Sequence, residues 1–169
     1  MKKLKLLIDK FPKITFVDDH YEGVYINGSD EIKIGIESKD NCYTMIHELC
    51  HSTSHKDKLD RPLETVTIFE HFMGKYKSQY CLEEINCEIA TYILLNYLGE
   101  LTVSRQVRVT NSIKDWVDKF NKRSIAQYYT PDSKLIKDIV SFYVNDIHDK
   151  ILTDSFNSVV NNITKLIYS

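Results

Sequence analysis

The pattern of apolar and polar positions divides the chain near residue 38. Before that point, β-branched and aromatic residues recur in three short stretches: Lys13 to Val17, Gly23 to Ile26, and Ile32 to Ile36. In the third, isoleucines 32, 34 and 36 alternate with Lys33 and Gly35, the period of two expected of a half-buried strand. Between the second and third lies Asn27-Gly28-Ser29-Asp30, whose residues suit a hairpin turn. These stretches predict a small, mostly antiparallel sheet.

After residue 38 the period lengthens to that of a helix. Ser38 as N-cap and Asp40 in the first turn predict a helix over about 39–55, anchored by Met45, Ile46 and Leu49. Pro62 and Gly74 bracket a helix of about 62–73. A third covers about 79–98 and stops at Gly99; from Ile89 to Leu98 it is apolar on nearly every side, which marks burial. Thr110 or Asn111 caps a helix carrying Ile113, Trp116, Val117 and Phe120, and Pro131-Asp132 opens one carrying Leu135, Ile136, Ile139 and Val140. A last, polar helix spans about 153–167. The expected class is α+β, a sheet followed by a helical bundle. The 169 residues suffice for one domain, 1–169, and are few for two.

Composition narrows the field of functions. The formal charge of −2 gives no overall attraction to nucleic acid or anionic lipid. The apolar stretch Leu4 to Ile8 is too brief for a signal-peptide core, and nothing approaches a membrane span. Cys42, Cys50, Cys81 and Cys87 form no CxxC pair, so a reduced, cytoplasmic protein is the simplest expectation.

Chemistry concentrates in His47-Glu48-Leu49-Cys50-His51. Residues four apart share a helical face, so the two imidazoles can converge on one cation, and Glu48 then sits where a general base would meet a water on that cation. A protein zinc site needs a third ligand. Glu84 and Glu88 lie one turn apart at the entrance to the buried stretch, where carboxylates need a cation or strong donors. One assignment makes Glu84 the ligand and Glu88 an acceptor for a ligand histidine's free N–H; the reverse assignment stays open. So does a pair of half-exposed glutamates bonding Lys75 or Lys77. Glu83, a quarter-turn away, is expected to reach solvent. His55 is too far along the axis to be a third histidine ligand and is given a supporting place beyond the ligands or near the substrate. Cys50 is expected to pack, and His20, His71 and His148 to be ordinary.

The spacing Glu84-x-x-x-Glu88 resembles the Glu-x-x-x-Asp helix of gluzincin peptidases. Residues 47–61, HELCHSTSHKDKLDR, resemble the metallopeptidase domain of ArdC-type anti-restriction proteins and phage polyvalent proteins. Ser52, Thr53, His55, Leu59 and Arg61 fit that pattern; Ser54 stands for its glycine and Lys58 for its arginine. Tyr80-Cys81-Leu82-Glu83-Glu84-Ile85-Asn86-Cys87-Glu88 and Ile113-Lys114-Asp115-Trp116 are similar to its later segments. The likeness covers roughly residues 22–145. It implies a zincin-like fold, Zn2+ held by His47, His51 and Glu84, Glu48 as catalytic base, and a place in a mobile element's counter-defence. A single-stranded-DNA module found in many relatives has no room here, so direct nucleic-acid binding is not expected. Glu84-Ile85-Asn86 bears a weaker likeness to ImmA/IrrE-type peptidases, which cut a repressor.

On this reading the partner is a protein or peptide substrate, such as a host defence or regulatory protein. Tyr128 or Tyr129 is the candidate oxyanion donor, and the strand Ile32 to Ile36 the candidate edge for an extended substrate. The rival is a metal-stabilised binding protein that inhibits a host enzyme by occlusion and cleaves nothing. Such a protein has no need of Glu48.

Overall fold

The computed structural model describes residues 10–18, 22–38, 40–63, 76–121 and 132–144, with 154, 156–159, 161, 162 and 165. Strands β1 (Lys13–Val17), β2 (Gly23–Ile26) and β3 (Glu31–Gly35) form one sheet in the order β1-β3-β2. β2 and β3 make the expected antiparallel hairpin, with Tyr25 opposite Ile32 and a 3-10 turn at Asn27–Ser29. β1 runs parallel to β3, with Ile14 opposite Ile32. The sheet is thus mixed rather than mostly antiparallel, because the chain lays β2 at the far edge before β3 folds back between the two. Ile32 and Ile34 are fully buried, whereas Ile36 falls past the end of β3 and is exposed.

Among the described residues the sheet is followed by α1 (Asn41–Ser52), α2 (Ser78–Leu98), α3 (Val103–Asn121) and α4 (Ser133–Tyr143). Asp40, not Ser38, caps α1, accepting from the Tyr43 N–H at 3.1 Å. Its carboxylate also binds Arg105 at 2.7 and 3.0 Å, which ties the start of α1 to α3. α1 stops three residues short of the expected 55. Ser54 N–H donates to the His51 carbonyl and His55 N–H to that of Ser52, a tightening of the last turn. The Tyr143 hydroxyl and the Arg61 guanidinium take the Leu49 and Cys50 carbonyls, both at 2.8 Å, so side chains satisfy the end of the helix.

α2 is the central helix, with α1, α3 and α4 packed around it. Ile85, Ile89, Ala90 and Leu95 are wholly buried. Gly99, at φ 77°, closes it: Gly99 N–H bonds the Asn96 carbonyl and Glu100 N–H that of Leu95. α3 begins at Val103, well before the expected Thr110: the Thr102 hydroxyl accepts from Arg105 N–H at 3.3 Å, and the first turns, with Val103 and Val107 exposed, show no buried stripe until Val109. Asp132 caps α4 through Leu135 N–H at 2.9 Å. Residues 64–73 of the expected 62–73 helix lie outside those described; Pro62 and Leu63 are not helical. Residues 154, 156–159, 161, 162 and 165 are helical, and Phe156 and Val159 are buried. No helix among the described residues is long and apolar enough to cross a membrane.

One glycine sets how closely sheet and helix approach. A Cβ on Gly23 would lie 2.4 Å from the Thr44 Cγ2 and 3.2 Å from the Glu48 Cγ. Gly23→Ala is therefore expected to cost about 1–3 kcal/mol through overpacking. Thr44→Ser, which removes the clashing methyl, should return most of that loss in the double variant. Urea unfolding of both single variants and the double measures this non-additivity.

Candidate metal centre

α1 and α2 cross so that one face of each supplies charge-bearing side chains to a shared point. His47 and His51 lie edge to face, and their Nε2 atoms are 3.1 Å apart. From α2, Glu84 brings Oε2 to 3.4 Å from His47 Nε2 and Oε1 to 3.6 Å from His51 Nε2. Donors on a tetrahedral ion with bonds of about 2.0–2.1 Å stand about 3.3–3.4 Å apart, so these separations match one small cation. Proton placement argues the same way. His51 Nδ1 lies 3.1 Å from Glu83 Oε1, and His47 Nδ1 3.6 Å from Glu88 Oε1. With each Nδ1 turned to a carboxylate, Nε2 is the ring atom left to the shared point with Glu84. In the metal-free protein the Nε2 protons face Glu84, and a divalent ion would take their place.

Glu88 is held by the Tyr43 hydroxyl at 2.5 Å and the Ser112 hydroxyl at 2.6 Å. His47 Nδ1 has no hydrogen-bond partner among the described residues, and Glu88 is the carboxylate that faces it. Glu83 does not reach solvent, as its quarter-turn offset suggested. It is 4% exposed, pairs with Arg61 and serves His51 as Glu88 serves His47. The half-exposed reading of Glu84 and Glu88 also falls, at 7% and 2% exposure. A second donor group, His51, Glu83 and Cys87, lies equally close together. There Arg61 already binds Glu83 and approaches the Cys87 sulfur at 3.8 Å, so a fixed cation fills the place a metal would need.

The donors lie at the floor of a cavity of about 510 Å3, bounded by β2 on one side and α3 on the other. Glu22, at the entry to β2, accepts from Gly35 N–H, so by the two-residue alternation Gly23 and Tyr25 turn their main-chain groups to the outer edge, which no strand pairs among the described residues. Tyr25 N–H bonds the Glu48 carboxylate there. β3, expected to offer an edge to substrate, is paired on both sides. The sequence profile of the zincin-like metallopeptidase family matches residues 9–128. The chain belongs to that family. No curated protein and no solved structure matches it.

Membership in the zincin-like metallopeptidases implies a metal cofactor, and two imidazoles with a carboxylate are donors that fit one. Burial disfavours the charged His47 ring, but Glu88 and Glu84 outweigh it and raise its pKa. His51 behaves alike and rises further, driven by the Cys87 sulfur, Glu84 and Glu83. Burial pushes the Glu83 carboxyl up, yet His51 and Arg61 hold it at about 2. Glu84 is held well below the usual range by both histidines, against its burial. Burial raises Glu48, with His47 and His51 opposing.

Other residues fall elsewhere. His55 lies past the end of α1, with its ring toward Asp57 at 3.6 Å, and lines a neighbouring cavity instead of supporting the donors. Cys50 packs in the core, 3.6 Å from the Thr91 hydroxyl. Tyr128, Tyr129, His20, His71 and His148 lie outside the described residues. Sequence reasoning missed Tyr43, Ser112, Arg61 and Arg108. Of these, Arg61 alone carried a signal, as part of the segment resembling the family.

The raised histidine pKa values set a pH dependence for the metal-free protein. Their stabilisation is complete below the unfolded value of about 6.5 and is lost as pH rises through the raised folded values. A metal must displace those protons, so its stabilisation grows in the same direction. The difference in Tm with and without Zn2+ should widen steadily from about pH 5.5 to 8.5. A difference constant across that range would contradict histidine ligation.

Proposed function

We propose that this protein is a zinc peptidase that hydrolyses a peptide bond in a protein target. The observation that carries the reading is the meeting of His47 Nε2, His51 Nε2 and the Glu84 carboxylate beside Glu48, at the floor of an open cleft. His47, His51 and Glu84 would hold the ion. Bound there, zinc supplies a Lewis acid that polarises a carbonyl and acidifies water. Glu48 is anchored by Tyr25 N–H, and burial gives its carboxylate more affinity for a proton than a solvated one has. It takes the proton of the attacking water and passes it to the leaving amine nitrogen. An extended peptide adds to the β2 edge through the Gly23 N–H and carbonyl and the Tyr25 carbonyl, the Tyr25 N–H being held by Glu48. The Tyr80 hydroxyl bonds Glu84 and lines the cleft, so it positions a ligand carboxylate and would have to leave it to serve as oxyanion donor.

Likeness to ArdC-type and phage polyvalent proteins supports a role in a mobile element's counter-defence, with a host defence or regulatory protein as substrate. Four free thiols accord with action in the cytoplasm. Glu48 separates cleavage from occlusion. Glu48→Gln should keep one zinc per chain while peptide hydrolysis falls by about 10²–10⁴-fold. Unchanged inhibition of a host target by that variant would instead favour a protein that only binds. Glu84→Ala should lose zinc outright, and Glu88→Ala should weaken it about 10–100-fold, both read by metal analysis of purified protein. The opposite order would reverse the two roles.

A further inference from the structure

Across the cleft from the donors, α3 presents Arg108, Ser112 and Trp116 at intervals of four, so one helical stripe forms that wall. Ser112 is taken by Glu88. Trp116 packs edge-on against Tyr80 at 5.6 Å, and with Leu63 they give the cavity an apolar region. Arg108 is left as the cation of the wall. Its guanidinium lies 4.1 Å over the Tyr43 ring, and its carboxylate partner among the described residues is Glu22. Burial makes that guanidinium harder to keep charged than one in water. Glu22 compensates weakly, because its side chain is 48% exposed, and ion pairs this open to solvent contribute little.

Position gives the pair its meaning. Glu22 immediately precedes Gly23, the first residue of the edge that faces the cleft. Its side chain pairs with Arg108 on α3, and both residues line the cavity that β2 bounds. The structure assigns Arg108 as a specificity-determining residue: it selects a carboxylate on the bound peptide, beside an apolar side chain seated on Trp116 and Tyr80, and Glu22 is the resident stand-in that this carboxylate displaces. A guanidinium binds a carboxylate through two parallel N–H donors, which a lysine ammonium cannot reproduce. An acidic side chain and a free C-terminus both offer the group. The inference rests on the peptidase reading to the extent that a peptide lies along β2.

The test uses the zinc-loaded full chain carrying Glu48→Gln, so that binding is read without turnover. Fluorescent short peptides, each with one Leu or Phe, are compared as Glu against Gln at the adjacent position with amidated ends. A second set, without acidic residues, compares C-terminal acid with amide. One of the two acid forms should bind at least about tenfold more tightly than its neutral counterpart, and the set in which it does identifies the source. Arg108→Gln and Arg108→Lys should abolish the preference while zinc content, Tm and neutral-peptide binding hold. Glu22→Gln should tighten acid peptides alone. A preference that survives both Arg108 variants, or no tighter binding of either acid form, would overturn the assignment. Hydrolysis by the unmutated chain without acid preference removes this inference and leaves the peptidase standing. Acid preference with no hydrolysis does the reverse.

Discussion

Three carboxylates buried on the first turns of one helix govern the arrangement around them. Glu83, Glu84 and Glu88 are 4%, 7% and 2% exposed, and an unpaired charge at such depth costs several kcal/mol. Each has its own compensation. Glu83 has Arg61 and the His51 Nδ1 side, Glu84 both Nε2 atoms, and Glu88 two hydroxyls with His47 Nδ1 beyond them. His51 is therefore gripped at both ends of its ring, and His47 by Glu84 at one end with Glu88 facing the other at 3.6 Å. Ring orientation is set by groups on α2, α3 and the segment after α1, not by the ion the rings would hold.

That prior orientation makes the site suited to chemistry. A ligand set assembled only by its metal can relax with each change at the open position, whereas this one is held by bonds that do not involve the metal. Glu48 follows the same logic: the close approach of β2 at Gly23 and the Tyr25 N–H fix a carboxylate that no structural requirement of the sheet explains. The edge that anchors Glu48 is unpaired among the described residues, so under the proposed function base and substrate strand would share a single reference frame. The α3 stripe closes the frame from the opposite side.

Much of this was legible in the residues. The alternation at Ile32 and Ile34, the turn at Asn27–Asp30, the stop at Gly99 and the histidine pair four apart each follow from local periodicity, and each is found. What escaped depended on partners far away in the chain. Glu83 was given to solvent because helical offset says where a side chain points, not whether another segment covers it; Arg61, 22 residues earlier, does so. The start of α3 was missed because its first turns carry Arg105 and Arg108 in place of a buried stripe, and their roles lie on α1 and at Glu22. The parallel pairing of β1 was not legible either, since alternation fixes which face is buried and leaves strand order open.

The segment after α1 supplies no ligand, yet it fixes the end of the helix that does. Thr53 N–H and hydroxyl both return to the Cys50 carbonyl, and the Arg61 guanidinium donates there too, then to the Thr53 hydroxyl and to Glu83. Lys58 spans from Asp30 in the hairpin turn, at 2.7 Å, to the Ser52 hydroxyl, which also meets Tyr143 at 2.8 Å. Leu59 N–H closes the loop on the Thr53 carbonyl. Residues 52–61 thus clamp the end of the histidine helix to the sheet, to α2 and to α4 together. A turn of α1 about its own axis would swing His51 off Glu84, and it would have to break these contacts first. Lys58 keeps a single ammonium on both Asp30 and Ser52, and so joins the hairpin turn to the end of α1.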